Sequence, residues 1–358
     1  MRPPPAAVRR SVIDPLWIPL AAALVLLLLL AAGISLLTAP LDGRLRTLRL
    51  AVFGALYIAL DAGLLMCCAA LWLRHPVRGR RNEWRWSRAH ESLLRSALSL
   101  LVTAARLLLG FAVEVREPPD SNRIAGRRLL VLARHGGPGD SFALLNLLMS
   151  RYRRRPAIVA KETLRWDPGL DVLLGRLPSC FVRRGKTSRV PGQLAELAGT
   201  MRPDDAILLF PEGGNWTPHR HRLAIAKLRR AGRRHAAADA ADNPHVLPPQ
   251  SAGLLACLAG QPDLDIMLVA HTGLDDIVSP ALAWRAVPVS GTPMVVRWWH
   301  EGAAELPDTE EDRRQWLRLQ WAIVDAWIDS RKAAGGQPGQ QTGGAPIADQ
   351  LSGPVAKL

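Results

Sequence analysis

A histidine and an aspartate five residues apart, His135 and Asp140, bracket the turn Gly136-Gly137-Pro138-Gly139. On a continuous helix, side chains five positions apart diverge by about 140°. The two can therefore meet only where the backbone folds back, as glycine and proline permit. An aspartate hydrogen-bonded to one imidazole nitrogen fixes the tautomer and raises the basicity of the other nitrogen. That is the arrangement of a general base acting on a hydroxyl. The pair alone is a weak signal. The chain has 9 histidines, and a second match of the same spacing runs from His271 to Asp276. What else shares the domain must decide between them.

The elements around the pair are a strand and a helix. Leu129 to Ala133 is an unbroken apolar run bounded by charged residues, and Phe142 to Met149 reads as helix. From residue 126 onward short apolar runs at 128–133, 157–161, 179–183, 206–210, 245–248 and 265–270 read as strands. They alternate with helical stretches at 163–175, 192–201, 222–235, 252–260 and 309–331. Such alternation predicts an α/β fold with a mixed, mainly parallel sheet flanked by helices. Ligands in such sheets gather beyond the carboxyl ends of the strands. Three further stretches occupy that position: Phe181-Val182-Arg183-Arg184, Leu208-Leu209-Phe210-Pro211-Glu212-Gly213-Gly214 and Val246-Leu247-Pro248-Pro249-Gln250. Arg184 suits a phosphate monoester, because guanidinium binds phosphate oxygens bidentately. Glu212, held between proline and glycine at a strand end, is placed to accept hydrogen bonds from hydroxyls.

In this order and spacing the blocks His135…Asp140, Phe181…Arg184, Phe210-Pro211-Glu212-Gly213 and Pro248-Pro249 resemble the glycerolipid acyltransferase family that includes 1-acylglycerol-3-phosphate acyltransferase. The resemblance covers roughly residues 126–275 and sets His271 aside, since it follows the Phe-Pro-Glu-Gly block. It implies that His135 takes the proton from a lipid hydroxyl while Asp140 orients the imidazole. The oxygen would then attack an acyl thioester directly, with acyl-CoA or an acyl carrier protein as co-substrate and neither cofactor nor metal required. Arg184, Gly213 and Glu212 would hold the glycerol phosphate end of a lysophospholipid acceptor, Phe210 and Pro211 would belong to the same substrate-binding block, and Pro249 would shape the acyl or thioester pocket. Two departures bear on the acceptor. The family often continues Phe-Pro-Glu-Gly with Thr-Arg-Ser, whereas here Gly214-Asn215-Trp216 follows, and Gln250 replaces the basic residue common after the last proline. The expected product is phosphatidic acid. The alternatives are another glycolipid or lyso-lipid acceptor, or a catalytically silent, membrane-anchored lipid-binding protein.

The chain before the catalytic domain is apolar. Leu16 to Thr38 and Leu50 to Leu73 are each long enough to cross a bilayer, the second carrying a single acid, Asp61. They predict a transmembrane helical hairpin over 1–77, with an interfacial hairpin as the other arrangement. Arginines flank the hairpin on both sides and also occupy its loop. Their bias puts the ends, and the domain, on the cytoplasmic side of the inner membrane. A basic linker spans 78–125, in which Leu93 to Val113 forms either an interfacial or a core-packing helix. The acyltransferase domain is expected over 126–332 and a disordered tail over 333–358. Net charge over the 358 residues is +15, which suits anionic membrane lipids. Arg220 to Arg234 crowds basic residues onto one helical stretch that could meet lipid headgroups, a carrier protein or the phosphates of coenzyme A. No aromatic platform accompanies it, so nucleic acid is not expected. The flanking His219, His221 and His235 lack ligand spacing for a metal. The 4 cysteines form no framework and fit a reducing compartment.

Overall fold

The computed structural model describes residues 3–37, 44–74, 83–116, 120–137, 139–183, 189–275, 277, 279–289, 291 and 293–335. Three long helices come first: α1 (Ala6–Leu37), α2 (Arg46–Arg74) and α3 (Glu83–Leu109). The sheet and its helices follow in the order β1 (Val113–Arg116), α4 (Ser121–Ile124), β2 (Leu129–Ala133), α5 (Asp140–Asn146), β3 (Arg155–Lys161), α6 (Pro168–Leu174), β4 (Ser179–Val182), α7 (Val190–Gly199) and β5 (Asp205–Leu209). Then come α8 (Pro218–Arg230), α9 (Arg234–Asp242), α10 (Ala252–Gly260), β6 (Asp265–Thr272), α11 (Pro280–Ala286), β7 (Met294–Glu301) and α12 (Glu310–Gly335).

Strand order is β1-β7-β6-β2-β5-β3-β4, parallel throughout except for the antiparallel pair β6–β7. The mixed, mainly parallel α/β sheet expected from the sequence is therefore observed. The central strands read as continuous apolar runs because both faces are covered. Leu130, Leu132, Ile207, Ile266 and Leu268 point to one side, where α7, α10 and α12 pack. Val131, Ala133, Leu208, Met267 and Val269 point to the other, against α5.

Three stretches differ from expectation. Residues 245–248 form no strand, because the prolines that follow cannot donate to a ladder and the segment runs as a loop along the strand ends. The expected linker over 78–125 gives the sheet its edge strand, β1, paired in register with β7 through Val113↔Met294 and Val115↔Val296. The helix expected at 222–235 is two helices, broken at Gly232, whose φ of +72° only glycine adopts freely.

All three N-terminal helices are long and apolar enough to cross a membrane by length and composition. Their packing differs. α1 presents Leu16, Leu20, Leu26, Leu27 and Leu30 outward. α2 is tied to the domain along its length. Arg49 donates to the Leu108 carbonyl (2.8 Å), Tyr57 to Asp167 (3.1 Å), and Arg176 to the Cys68 carbonyl (2.9 Å). Asp61, the lone acid of this run, accepts from the amides of Gly169 (3.1 Å) and Leu170 (3.0 Å). It thus caps the start of α6 from another helix, where orphan N–H groups need an acceptor. Gly169 makes this approach possible, since a Cβ there would lie 2.0 Å from the Asp61 carbonyl oxygen. At the head of α1, Arg9 and Arg10 reach Asp171 at 2.8 and 2.9 Å. α3 buries Leu94, Ala97, Leu98, Leu101 and Ala104, a helical stripe, while Leu100 and Leu107 stay exposed. The core-packing arrangement holds for its inner face.

Candidate active site

β2 ends at Ala133 and the chain turns immediately into Arg134-His135. Gly139, at φ +86°, stands at the entrance of α5 in the left-handed region and turns the backbone back on itself. The reversal lets His135 Nδ1 donate to Asp140 Oδ2 at 2.8 Å. The carboxylate is held on every side: Gly137 N lies 3.3 Å from Oδ2, and Ser141 N and Oγ lie 2.6 and 3.1 Å from Oδ1. Donation from Nδ1 fixes the tautomer and leaves Nε2 as the lone-pair nitrogen, with no hydrogen-bond partner among the described residues. Burial pushes the Asp140 carboxyl up. The hydrogen bond from His135 and the nearness of His271 outweigh that and hold it well below the usual carboxylate range.

The later blocks converge on this pair. The Phe210 ring lies against the His135 imidazole, centroids 4.4 Å apart. Trp216 N donates to the His135 carbonyl at 2.6 Å, and Gln250 N donates to the Pro211 carbonyl at 3.0 Å. The dyad, the Phe-Pro-Glu-Gly loop and the Pro248-Pro249 loop therefore share one rim at the carboxyl ends of β2 and β5. Gly213 adopts φ +67°, which favours glycine, and a Cβ there would displace only the mobile end of Gln250, whose Nε2 would lie 2.7 Å away. Pro211 is buried, while Phe210 and Pro249 are half-buried on the same rim. Arg184 lies outside the described residues; its neighbour Arg183 stands 3.5 Å from Glu162.

Glu212 is placed differently from the sequence expectation. The turn between Pro211 and Gly213 carries its side chain beneath His135, not into the hollow. Both carboxyl oxygens are sealed from solvent and neither completes a hydrogen bond. Burial pushes this carboxyl up to about 8, against the nearby Arg134 guanidinium and the amides of Leu247 and His135, which favour the ionised form. Burial thus favours its protonated form, and the side chain supports the floor of the site.

Two residues to which the sequence assigned no role, Arg134 and His271, complete the floor. Arg134 is fully buried, and its guanidinium donates to the carbonyls of His245 (2.8 and 3.1 Å) and His271 (2.9 Å) and to the carboxylate of Asp275. It binds the end of β2, the approach to the proline loop and the end of β6 into one unit. His271, set aside by motif order, is fully buried beside the dyad. Its Nε2 donates to the Arg134 carbonyl at 3.0 Å and stands 3.5 Å from Asp140 Oδ2. Register gives the reason: Ala133 pairs with Val269, so His271 and His135 each lie two residues further along neighbouring parallel strands.

A buried Asp-oriented imidazole at the strand ends of an α/β sheet, under a proline-rich rim, defines a class. Residues 112–249 match the family model described as Acyltransferase. Among solved structures, the fold is similar to the crystal structure of the 1-acyl-sn-glycerophosphate (LPA) acyltransferase PlsC from Thermotoga maritima. The TM-score is 0.52 at 17% sequence identity, over 80% of this chain and 98% of that chain. A likeness at that identity is one of fold. No curated protein sequence matches the chain.

Proposed function

We propose that this protein moves a fatty acyl group from an acyl thioester, acyl-CoA or acyl carrier protein, to a hydroxyl of a lysophospholipid. The favoured acceptor is 1-acylglycerol-3-phosphate and the favoured product phosphatidic acid. His135 Nε2 takes the proton from the acceptor hydroxyl as its oxygen bonds to the thioester carbonyl carbon. Asp140 stays ionised and stabilises the imidazolium that forms. Collapse of the tetrahedral intermediate breaks the C–S bond, and the imidazolium returns its proton to the departing thiolate. No covalent acyl-enzyme is required. Arg184 and the Gly213 rim hold the phosphate end of the acceptor, and Pro249 borders the acyl side. α1, with its outward leucines, meets the lipid of the inner membrane, and the domain works on the cytoplasmic face.

The observation that carries this reading is the 2.8 Å His135–Asp140 bond with Nε2 left uncommitted. The test is an acceptor panel: full-length protein in detergent, labelled acyl-CoA or acyl carrier protein, and lyso-lipids differing only in headgroup. Transfer fastest to the bare phosphate headgroup supports phosphatidic acid as product. A preference for a substituted headgroup reassigns the acceptor, in keeping with Gln250 standing where the family commonly has a cation.

A further inference from the structure

α8 begins at the rim of the site and carries positive charge away from it. Thr217 caps it by accepting from Arg220 N at 3.1 Å, one residue after the Trp216 amide that binds the His135 carbonyl. No residue of α8 is fully buried, and from Gly213 to Ala238 the chain contains no acidic side chain. Its far end and the turn into α9 hold Arg229, Arg230, Arg233 and Arg234, all exposed and none in an ion pair among the described residues. Arg229 and Arg234 flank a surface cavity of about 380 Å³ floored by Ala237 and Ala238. Exposed like charges crowded at a bend repel one another, and a bound anion would relieve that repulsion.

Distance narrows the anion. Thirteen helical residues at about 1.5 Å each put the basic bend about 20 Å from the rim. A pantetheine arm has about thirteen bonds from its sulfur to its first phosphorus, equivalent to about four residues of extended chain or about 16 Å. A thioester presented to His135 would therefore bring the phosphates at the other end of the arm to within about 4 Å of this bend, inside the reach of an arginine side chain. We propose that Arg229, Arg230, Arg233 and Arg234 form the binding site for the phosphorylated nucleotide end of a coenzyme A thioester. The guanidinium groups take the phosphates, and the alanine floor of the cavity takes the adenosine. Guanidinium suits this role because its fork matches phosphate oxygens. A lone phosphate would not call for four arginines and a cavity beside them. This assignment rests on the acyl-thioester reading of the site.

The test uses the full chain in detergent and a probe that needs no turnover, adenosine 3′,5′-bisphosphate. The native protein should bind it in calorimetry at low salt. The combined variant Arg229→Ala, Arg230→Ala, Arg233→Ala, Arg234→Ala should weaken binding by about tenfold or more. In transfer assays the variant should raise KM for acyl-CoA by a similar factor with kcat held. Acyl-pantetheine, which has no nucleotide, should react equally with both proteins. Absence of nucleotide binding by the native protein overturns the site whatever the transfer assay gives. Nucleotide binding that the variant keeps also overturns it, as does a loss confined to acyl carrier protein or to anionic vesicles. Nucleotide binding without any acyl transfer keeps the site and removes the proposed reaction, so the two failures are separable.

Discussion

Replacing His271 tests whether the dyad is held from behind. His271→Phe keeps an aromatic ring, somewhat larger than imidazole, but removes the Nε2–H. Two things are lost. The Arg134 carbonyl, one residue before His135, loses its 3.0 Å donor, and an unsatisfied buried carbonyl costs about 1–3 kcal/mol of stability. Asp140 Oδ2 loses an N–H dipole 3.5 Å away. That distance is too long for a full hydrogen bond but is worth about 1 kcal/mol to an ionised carboxylate in a dry site. If the second loss, with the loosened backbone, falls on the transition state, kcat drops about fivefold to tenfold. KM for donor and acceptor should stay within about twofold, because His271 touches neither. His271→Gln, which can restore an amide N–H near the same place, should recover most of the rate. The assay is steady-state acyl transfer with both substrates varied, alongside thermal unfolding of each variant. A Phe variant with native kcat and a lowered Tm would make His271 a packing residue and refute the reasoning. So would a Gln variant no better than Phe.

Glu212 makes a pH prediction. Its carboxyl is raised from an ordinary 4.5 to about 8 by burial, so between those values the folded state holds a proton that the unfolded state has released. Its contribution to stability is thus full below about pH 4.5 and is lost as pH rises toward 8. Glu212→Gln should flatten that fall, with a Tm advantage over native protein that grows from pH 5 to pH 8 to on the order of 5 °C. A difference that stays constant with pH would mean Glu212 is ionised throughout. Asp61→Leu should strip the acceptor from the Gly169 and Leu170 amides and cost about 2–4 kcal/mol. Amide exchange over α6 should speed up, and Asp61→Asn should restore much of the protection; unchanged exchange in the Leu variant would deny the cap. Gly169→Ala should separate α2 from α6 more severely than either, since its Cβ would lie 2.0 Å from a backbone oxygen that cannot move aside; native Tm in that variant would show that the two helices do not pack as described.

Much of the sheet was legible because its strands are buried on both faces and read as bare apolar runs. β2, β5 and β6 fall within a residue or two of expectation. The proline loop read as a strand because Val246 and Leu247 are buried, yet burial there comes from packing against the domain and not from pairing. β1 begins at the last residue of the apolar stretch 93–113 and runs on through Glu114 and Arg116, so four residues at a sheet edge carried too little pattern to read as a strand. The site divides in the same way. His135 and Asp140 were readable from a turn that only glycines could make, whereas Glu212 was readable as a residue but not as a direction. Which way a side chain leaves a Pro-Glu-Gly turn depends on what lies beneath, here Arg134 and the His135 backbone. His271 was discarded because linear order is blind to strand adjacency. Pairing the apolar runs 128–133 and 265–270 as neighbours would have put it beside the dyad.

In the proposed reaction one imidazole, oriented by Asp140, activates the acceptor hydroxyl. The most direct measurement is the single-turnover rate of acyl transfer by His135→Ala, with folding verified by its Tm, beside native protein at saturating thioester and lysophospholipid. The expected fall is about 10²- to 10⁴-fold, the range for loss of a positioned general base, with acceptor binding retained. Transfer at the native rate by a folded His135→Ala protein would contradict it.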